Sequence, residues 1–270
     1  MSPRVTISRR DFDAVIFDTD GVITKTAVVH EAAWKRLFDA YLLERAARTG
    51  ETFRLFTDDD YRRCVDGMPR YDGVVCFLDS RGIALPYGDP SDPPDKETVC
   101  GLGNRKDEYF LRHIREHGVE AYPSSVAFIR ALRAAGVKTG VFSASRNVIA
   151  VLEAANAADL FDARVDGIVA AELGLPGKPD PATLLETARR LGAAPERTAV
   201  VEDAIVGVEA GRAGGFGLVI GVNRSEEAGA LLANGATVEV TDLSDVAVDR
   251  GSRDSPLGRI RSDLEGGGAG

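Results

Sequence analysis

The stretch FDTDGVIT, residues 17–24, places two carboxylates where an apolar run ends. Asp18 and Asp20 follow the run Ala14–Phe17 with one residue between them, and Gly21 comes next. Burying carboxylates at the end of a hydrophobic strand is costly unless a partner compensates their charge. Two acids at this spacing could also be simple turn formers. Other polar residues decide between these interpretations.

Further polar residues follow other apolar runs of the chain. Ser143 follows VKTGVF, Glu202 and Asp203 end the run RTAVVED, and Lys178 lies in the loop LPGKPDP. In open α/β sheets ligands bind beyond the carboxyl ends of the strands, so we expect these residues to converge at one edge. Alone, each has a structural explanation: Asp203 could cap the following helix, Lys178 could be solvated, and Ser143 could be a turn hydroxyl.

Together these residue types have the chemistry of phosphoryl transfer. Neighbouring carboxylates raise one another's pKa, and Mg²⁺ relieves the repulsion because it prefers carboxylate and carbonyl oxygens and recruits substrate phosphates. One carboxylate can act as a nucleophile and form an aspartyl phosphate, while a second acid moves the proton. A lysine and a serine hydroxyl would neutralise and orient the phosphoryl oxygens.

The elements that must position these residues alternate between strand and helix. Short β-branched runs occur at residues 13–18, 137–143, 164–170, 197–203, 217–222 and 237–242. Helical patterns at 125–135, 181–192 and after Asp203 lie between them, several with Pro at the start or Gly at the end. This alternation predicts an α/β fold, a doubly wound parallel sheet covered by helices on both faces.

The interval between the first and second strands is different, because it shows four helical patterns and no convincing strand. A Pro- and Asp-rich stretch at 85–97 is predicted to be a loop inside it. We therefore predict a core of residues 11–27 plus 119–248, an inserted helical cap of residues 28–118, and disordered tails at 1–10 and 251–270.

Composition excludes several classes of function. The 270 residues carry a formal net charge of −9, which argues against a nucleic-acid binder. No apolar stretch is long enough for a signal peptide or a membrane span, so we expect no membrane partner and a cytoplasmic protein. The three cysteines, Cys64, Cys76 and Cys100, form no CxxC pair and are predicted to be reduced thiols without a disulfide or zinc site.

The order DxDGVxT, SAS, KP and ED resembles the haloacid dehalogenase superfamily of aspartyl phosphotransferases, over roughly residues 12–243. The resemblance implies a Rossmann-like core with a helical cap, Asp18 as nucleophile and Asp20 as general acid/base. It also implies that Ser143 and Lys178 hold the transferring phosphoryl group. The implied Mg²⁺ ligands are Asp18, the backbone of Asp20, Glu202 and Asp203.

Finer features resemble the β-phosphoglucomutase subfamily. The opening FDTDGVITKTAVVHEAAW implies that Thr26 and His30 lie at the hinge into the cap and help to position the acid/base. The segments DGMPR, SASRN and GNRKDEY also match that subfamily. The implied substrate contacts are Arg70, Ser145, Arg146 and Asn147 to the phosphate that is not transferred, and Lys106 to the sugar. A mutase needs this second phosphate site because it binds a sugar bisphosphate in two orientations, and arginine suits it because its planar fork bonds phosphate bidentately.

The chain departs from the subfamily at several cap positions. Lys25 stands where an aspartate is usual, Asp107 replaces an asparagine, and neither Asp66 nor Met68 supplies a cation beside the cap arginine. His30 also has an alternative interpretation as a packed core residue. Arg70 and Lys106 could be solvated cap residues.

Three functions follow from these observations. The first is a β-phosphoglucomutase that converts β-D-glucose 1-phosphate to glucose 6-phosphate through phospho-Asp18 and a glucose 1,6-bisphosphate. The second is a sugar-phosphate phosphatase, in which water attacks phospho-Asp18. The third is a non-catalytic sugar-phosphate sensor, against which the intact core residues argue. In each case we expect Mg²⁺ as cofactor, a small phosphorylated sugar as partner, and a monomer.

Overall fold

The computed structural model describes residues 5–224 and 228–249, and a parallel sheet of six strands forms its centre. The strands of the whole described chain are β1 Thr6–Ser8, β2 Ala14–Phe17, β3 Lys138–Phe142, β4 Ala163–Val165, β5 Thr198–Glu202, β6 Leu218–Val222, β7 Val238–Val240 and β8 Ala247–Asp249. The central sheet has the order β4-β3-β2-β5-β6-β7, and all its pairs are parallel. The predicted parallel α/β sheet is confirmed.

Strand β2 is buried on both faces, as a strand between two helical layers must be. Val15 and Phe17 belong to one apolar cluster, whereas Ala14 and Ile16 belong to the cluster on the other face. This period-two alternation places β2 at the middle of the core. Its carboxyl end therefore opens where β3 and β5 also end.

The helices of the core lie between the strands in sequence. They are α5 Pro123–Ala134, α6 Val148–Ala154, α7 Gly167–Leu173, α8 Ala182–Leu191, α9 Ile205–Ala213 and α10 Ala230–Asn234, with short 3-10 turns at Ala158–Leu160, Pro195–Arg197 and Leu243–Asp245.

The strand predicted at residues 164–170 is wrong beyond β4. The Asp166 side chain accepts hydrogen bonds from the backbone N–H groups of Ile168 and Val169, both at 3.0 Å, and so caps a helix where extended chain was expected. The apolar run is divided between β4 and α7.

The cap consists of helices between β2 and α5, and no strand occurs within residues 28–118, all of which are described. They are α1 Ala27–Thr49, α2 Asp58–Asp60 continuing into the π-helix Tyr61–Val65, α3 Arg70–Asp79 and α4 Val99–His117. The cap has its own apolar core, in which the Phe38 and Phe77 rings stack 3.8 Å apart.

Two adjacent chain segments connect cap and core. The backbone N–H of Lys25 donates to the carbonyl of Glu120, and that of Tyr122 donates to the carbonyl of Ile23, both at 2.9 Å. The Lys25 ammonium also pairs with Glu120 at 2.5 Å. The unusual Lys25 is thus bound to the returning segment of the hinge and makes no ion pair with Asp20.

The prediction of a disordered N-terminal tail is wrong at Thr6–Ser8. These residues form β1 and pair in parallel with β8, with Thr6 opposite Ala247. Three residues are too short a run to show a strand pattern, and their partner lies at the far end of the sequence. Residues 1–4 and 251–270, also predicted to be disordered, lie outside the described residues.

The prediction of three reduced thiols is also wrong. Cys64 and Cys76 form a disulfide, with Cα atoms 5.3 Å apart, and Cys100 is free and buried. The chain reverses between the π-helix and α3, and Gly73 lets the two helices approach, since a Cβ there would lie 3.3 Å from the Cys64 carbonyl oxygen. This proximity arises from helix packing, which the spacing of the cysteines does not reveal.

Over the described ranges, no helix combines the length and the apolarity that crossing a membrane requires.

Candidate active site

A cavity that is partly open to solvent lies between the cap and the carboxyl ends of β2, β3 and β5. Of the residues predicted from the sequence, the cavity is lined by Asp18, Asp20, His30, Arg70, Lys106, Ser143, Ser145, Arg146, Asn147, Lys178 and Asp203. Thr26 and Glu202 stand directly behind this lining, in contact with Asp20 and Lys178 respectively.

Asp18 is held at the end of β2 by three hydrogen bonds. Its backbone N–H donates to the carbonyl of Val201, one carboxylate oxygen accepts from the Lys178 ammonium at 2.6 Å, and the other accepts from the backbone N–H of Asp20 at 2.9 Å. Burial raises the pKa of Asp18 well above its usual value, and the charge of Lys178 opposes this. A fixed, buried carboxylate beside a cation is an arrangement suited to nucleophilic attack.

Lys178 is buried between two carboxylates. Besides Asp18 it contacts Glu202, and its ammonium lies 4.3 Å from the centre of the Phe142 ring. Burial disfavours its charged form, but the charges of Asp18 and Glu202 outweigh this and raise the pKa of Lys178. The alternative of a solvated loop lysine is therefore wrong, since only 4% of Lys178 is exposed.

Glu202 is fully buried at the end of β5. One of its oxygens accepts from Lys178, and the other accepts from the backbone N–H groups of Asp203 and Ala204 at 2.7 and 2.8 Å. Gly207 makes room for it, because a Cβ there would lie 1.9 Å from a Glu202 oxygen. In the structure Glu202 is thus the partner of Lys178, and the metal-ligand role that the resemblance implies for it stays a prediction.

Asp203 faces the cavity beside Asp18. It packs against Gly21, where φ is +80° and a Cβ would lie 1.7 Å from a carboxylate oxygen of Asp203, so only glycine fits. Burial raises the pKa of Asp203, and the charges of Glu202 and Asp66 add to the effect. The alternative of a helix cap is wrong, because α9 begins after Ala204 and no side chain caps it.

The carboxylates of the cavity could hold a hard cation, but they supply only part of its coordination shell. Within residues 5–224 and 228–249, no group of three or more His, Cys, Asp and Glu side chains is arranged to hold a metal ion. Asp18, which is buried, and Asp203, which is partly buried, nevertheless form a pair of carboxylates; burial raises the pKa of both, and the charge of Asp18 adds to the shift at Asp203. Mg²⁺ is commonly bound by one or two carboxylates, with waters and substrate phosphate completing its shell.

Asp20 points towards the cap, and its partners lie at the hinge. The Thr26 hydroxyl donates to Asp20, and His30 Nε2 lies 3.4 Å from the same oxygen. Burial would raise the pKa of Asp20, but His30, Thr26 and Lys106 together lower it to about 2. Burial and the charge of Lys106 lower the pKa of His30 in turn. Asp20 is consequently ionised and ready to accept a proton.

His30 and Lys106 form a buried pair next to Asp20. Lys106 Nζ lies 2.5 Å from His30 Nδ1, and the His30 ring stacks on Phe110 with ring centres 3.9 Å apart. Lys106 also lies over Trp34, 5.0 Å from the ring centre. Burial and the charge of Arg70 lower the pKa of Lys106 to about 7. The alternative of a solvated cap side chain is therefore wrong for Lys106, and His30 both packs on Phe110 and lines the cavity.

A second group of donors lies in the same cavity, away from Asp18. Arg70 begins α3 in the cap, and the core loop after β3 supplies Ser145, Arg146 and Asn147. The Ser143 side chain holds this loop in place, since its hydroxyl accepts from the backbone N–H of Ser145 at 3.0 Å. Within this group Arg70 and Asn147 both contact Asp107.

Several further residues line the cavity although their positions in the sequence did not indicate it. Tyr61 and Asp66 reach it from the π-helix and the following turn, and Trp34 reaches it from α1. Burial, with the charge of Glu202, raises the pKa of Asp66 to about 6. In the sequence, Asp66 is distinctive only because it supplies no positive charge beside the cap arginine. Its spacing does not mark it as a cavity residue.

Comparison with known proteins agrees with this geometry. The family model described as haloacid dehalogenase-like hydrolase matches residues 12–215. The chain is 46% identical over 237 residues to the β-phosphoglucomutase of Mycobacterium tuberculosis (strain CDC 1551 / Oshkosh), covering 86% of this chain and 90% of that protein. It is 37% identical over 134 residues to the trehalose-phosphate phosphatase of Mycobacterium leprae (strain TN), covering 48% of this chain and 29% of that protein.

The crystal structure of β-phosphoglucomutase from Clostridium difficile has the same fold. It superposes with a TM-score of 0.66 at 24% sequence identity, covering 86% of this chain and 92% of that one. From the family match and the mycobacterial relative, we conclude that the chain belongs to the haloacid dehalogenase-like hydrolase family and resembles its β-phosphoglucomutase members.

Proposed function

We propose that this protein is a Mg²⁺-dependent β-phosphoglucomutase that interconverts β-D-glucose 1-phosphate and glucose 6-phosphate. The observation that carries the proposal is that one cavity holds two groups of phosphate-binding donors. Ser143 and Lys178, beside the carboxylate of Asp18, form the first, and the cap arginine Arg70 with the loop of Asn147 forms the second. A sugar with phosphates at both ends requires two such groups, and the 46% identity to a mycobacterial β-phosphoglucomutase supports the same activity.

In the proposed reaction Asp18 carries the phosphoryl group. Phospho-Asp18 gives it to the 6-hydroxyl of β-glucose 1-phosphate, so that the new bond forms to O6 as the acyl phosphate bond breaks. Lys178 contacts the oxygen of Asp18 and would neutralise the charge that returns to it. The bisphosphate then turns over, and Asp18 takes the phosphoryl group from C1.

Asp20 moves the proton in both half-reactions. It is ionised, with its pKa lowered to about 2, so it can accept the proton of the 6-hydroxyl as that oxygen attacks. Asp20 returns this proton to O1 when the O1–phosphorus bond breaks and the new bond between Asp18 and phosphorus forms. Thr26 and His30 hold the carboxylate at the hinge, so its position depends on how the cap sits on the core.

Asp18 and Asp203, with the backbone carbonyl of Asp20, are the groups that would hold Mg²⁺. When bound, Mg²⁺ would neutralise the phosphoryl oxygens and lower the pKa of the buried carboxylates. Glu202 would act indirectly, by fixing Lys178.

The second candidate is a sugar-phosphate phosphatase. It is favoured by Asp107, whose carboxylate lies within the second donor group and would repel a second phosphate. The 37% identity to a mycobacterial trehalose-phosphate phosphatase over half the chain points the same way. In this reaction water would attack phospho-Asp18, and the second group would contact sugar hydroxyls.

One assay separates the two candidates. The protein is given β-glucose 1-phosphate, Mg²⁺ and a trace of β-glucose 1,6-bisphosphate, and glucose 6-phosphate and free phosphate are followed together. Glucose 6-phosphate without phosphate release supports the mutase, and stoichiometric free phosphate supports the phosphatase. The Asp18→Asn and Asp20→Asn variants are the controls, and we expect neither to turn over. A fully active Asp18→Asn protein would contradict the assignment of the nucleophile, and binding of sugar phosphate without turnover by the parent protein would favour the sensor.

A further inference from the structure

Asp107 connects the cap to the core through a single carboxylate oxygen. Its Oδ1 accepts from Arg70 Nη2 at 2.6 Å and from Asn147 Nδ2 at 2.6 Å. Asp107 and Arg70 belong to cap helices α4 and α3, whereas Asn147 belongs to the core loop after β3. The oxygen is thus bound by one donor from each side of the cavity.

The surroundings of the Arg70–Asp107 pair hold the two side chains in place. The side chains of Arg70 and Asp107 are only 14% and 19% exposed. Arg70 also donates to Asn104 Oδ1, and Asn104 in turn donates to the backbone carbonyls of Pro90 and Asp92. Arg70 therefore has little freedom to leave Asp107 for water. Short contacts at low exposure are the conditions under which a charge-assisted hydrogen bond is strong.

Arg70 and Asn147 are also the donors that the proposed function assigns to the second phosphate of the sugar. A carboxylate oxygen and a phosphate oxygen are both anionic acceptors, and arginine binds either with the same fork. One site cannot hold both on the same two N–H groups. A second phosphate must therefore displace Asp107 or be excluded by it.

We propose that Asp107 is an internal competitor for the second phosphate, displaced when a doubly phosphorylated sugar binds. It determines specificity, because its charge cancels that of Arg70 and lowers the affinity of the site for any phosphate that cannot replace it. It also keeps the cap on the core in the ligand-free protein. The inference rests on the proposed function in taking a sugar bisphosphate as the ligand and Arg70 and Asn147 as donors to its second phosphate.

The test replaces the carboxylate without changing its shape. Asp107→Asn keeps an acceptor oxygen but removes the charge, so the competing hydrogen bonds become those of a neutral group. Hydrogen bonds to charged groups are stronger than neutral ones by about 1–1.5 kcal/mol. We therefore expect Asp107→Asn to bind glucose 1,6-bisphosphate about 10-fold more tightly. Glu108→Gln is the matched control, since Glu108 is exposed on the same helix and loses the same charge.

Binding is followed by the fluorescence of Trp34, which lines the cavity and is the one tryptophan of the sequence. All proteins carry Asp18→Asn so that no turnover occurs. Tighter binding in the Asp107 variant with an unchanged Glu108 control supports the proposal. An equal or weaker affinity overturns it, and so does a failure of the Asp107 variant to bind the bisphosphate at all.

A kinetic measurement on proteins with Asp18 intact separates competition from a structural effect. Competition predicts that Asp107→Asn lowers KM for the sugar phosphate and leaves kcat within about twofold. A fall in kcat with unchanged KM would mean that Asp107 merely supports the fold of the site. A parent protein that binds the bisphosphate but releases free phosphate in the activity assay would count against the mutase and leave the role of Asp107 standing.

Discussion

Replacing Lys178 with methionine is expected to destabilise the fold strongly. Lys178 is 4% exposed and contacts both Asp18 and Glu202, so the variant leaves two buried carboxylates without a cation. Methionine keeps an apolar stem of similar length, so the change mainly removes the ammonium, including its contact over the Phe142 ring. Removing one partner of a buried ion pair costs about 3–5 kcal/mol. We expect a loss of this size in the free energy of unfolding at pH 8.

The loss should shrink as the pH falls. Burial already raises the pKa of Asp18, and without Lys178 the pKa of Asp18 in the folded variant rises further above its unfolded value. Between those two pKa values the folded variant binds more protons than the unfolded chain. The free energy of unfolding of the variant therefore decreases as the pH rises through this window, and it recovers towards pH 5.

Urea unfolding followed by far-UV circular dichroism at pH 5 and pH 8 measures both effects. Lys25→Met is the control, because Lys25 pairs with Glu120 at the exposed hinge, and we expect no measurable change there. Adding Asp18→Asn to Lys178→Met should recover part of the stability at pH 8, since it removes one uncompensated charge. A loss below about 1 kcal/mol, the usual size for an exposed pair, or a loss equal at both pH values, would refute this account of the buried cluster.

Four further outcomes are expected. Thr26→Val removes the hydroxyl that donates to Asp20, so the pKa of Asp20 should rise from about 2. The acidic limb of the pH–rate profile should then move towards neutral pH. An unmoved limb would exclude this positioning role of Thr26. Arg70→Ala should reduce mutase turnover about 10- to 100-fold more than hydrolysis of an aryl monophosphate, and equal losses would count against a second phosphate site. After denaturation without reductant, one of the three thiols should react, and three should react with reductant. Cys76→Ser should lower the free energy of unfolding by about 3 kcal/mol, because it removes a disulfide between cysteines that are 12 residues apart. An unchanged midpoint in urea would show that the Cys64–Cys76 bond does not stabilise the protein.

The sequence was sufficient for the core of the site because the rule that places it is general. Residues at the carboxyl ends of parallel strands must meet, and Asp18, Ser143 and Asp203 each follow a strand in that sheet. Short β-branched apolar runs marked those strands in the sequence. No detail of side-chain packing was needed to predict that these residues share one edge.

The remainder depended on contacts between elements, which carry no local signal. Glu202 follows the same rule as Asp203, but its side chain turns to Lys178 because Gly207 leaves space behind it. Asp107 appeared in the sequence only as a departure from the usual asparagine. Its contact with Asn147 requires the cap and the core to be docked, a relation that neither segment encodes alone.

The hinge has a consequence for how such a chain can be assembled and altered. The cap leaves the core at Ile23–Lys25 and returns at Glu120–Tyr122, and these two segments are hydrogen-bonded to each other. An insertion whose ends already touch imposes little additional loop-closure entropy on the strands that flank it. Strand β2 pairs with β3 in a register that does not involve the cap. The cap can therefore be exchanged for another of different length. The core strands that position Asp18 can stay the same while the cap that covers the cavity varies.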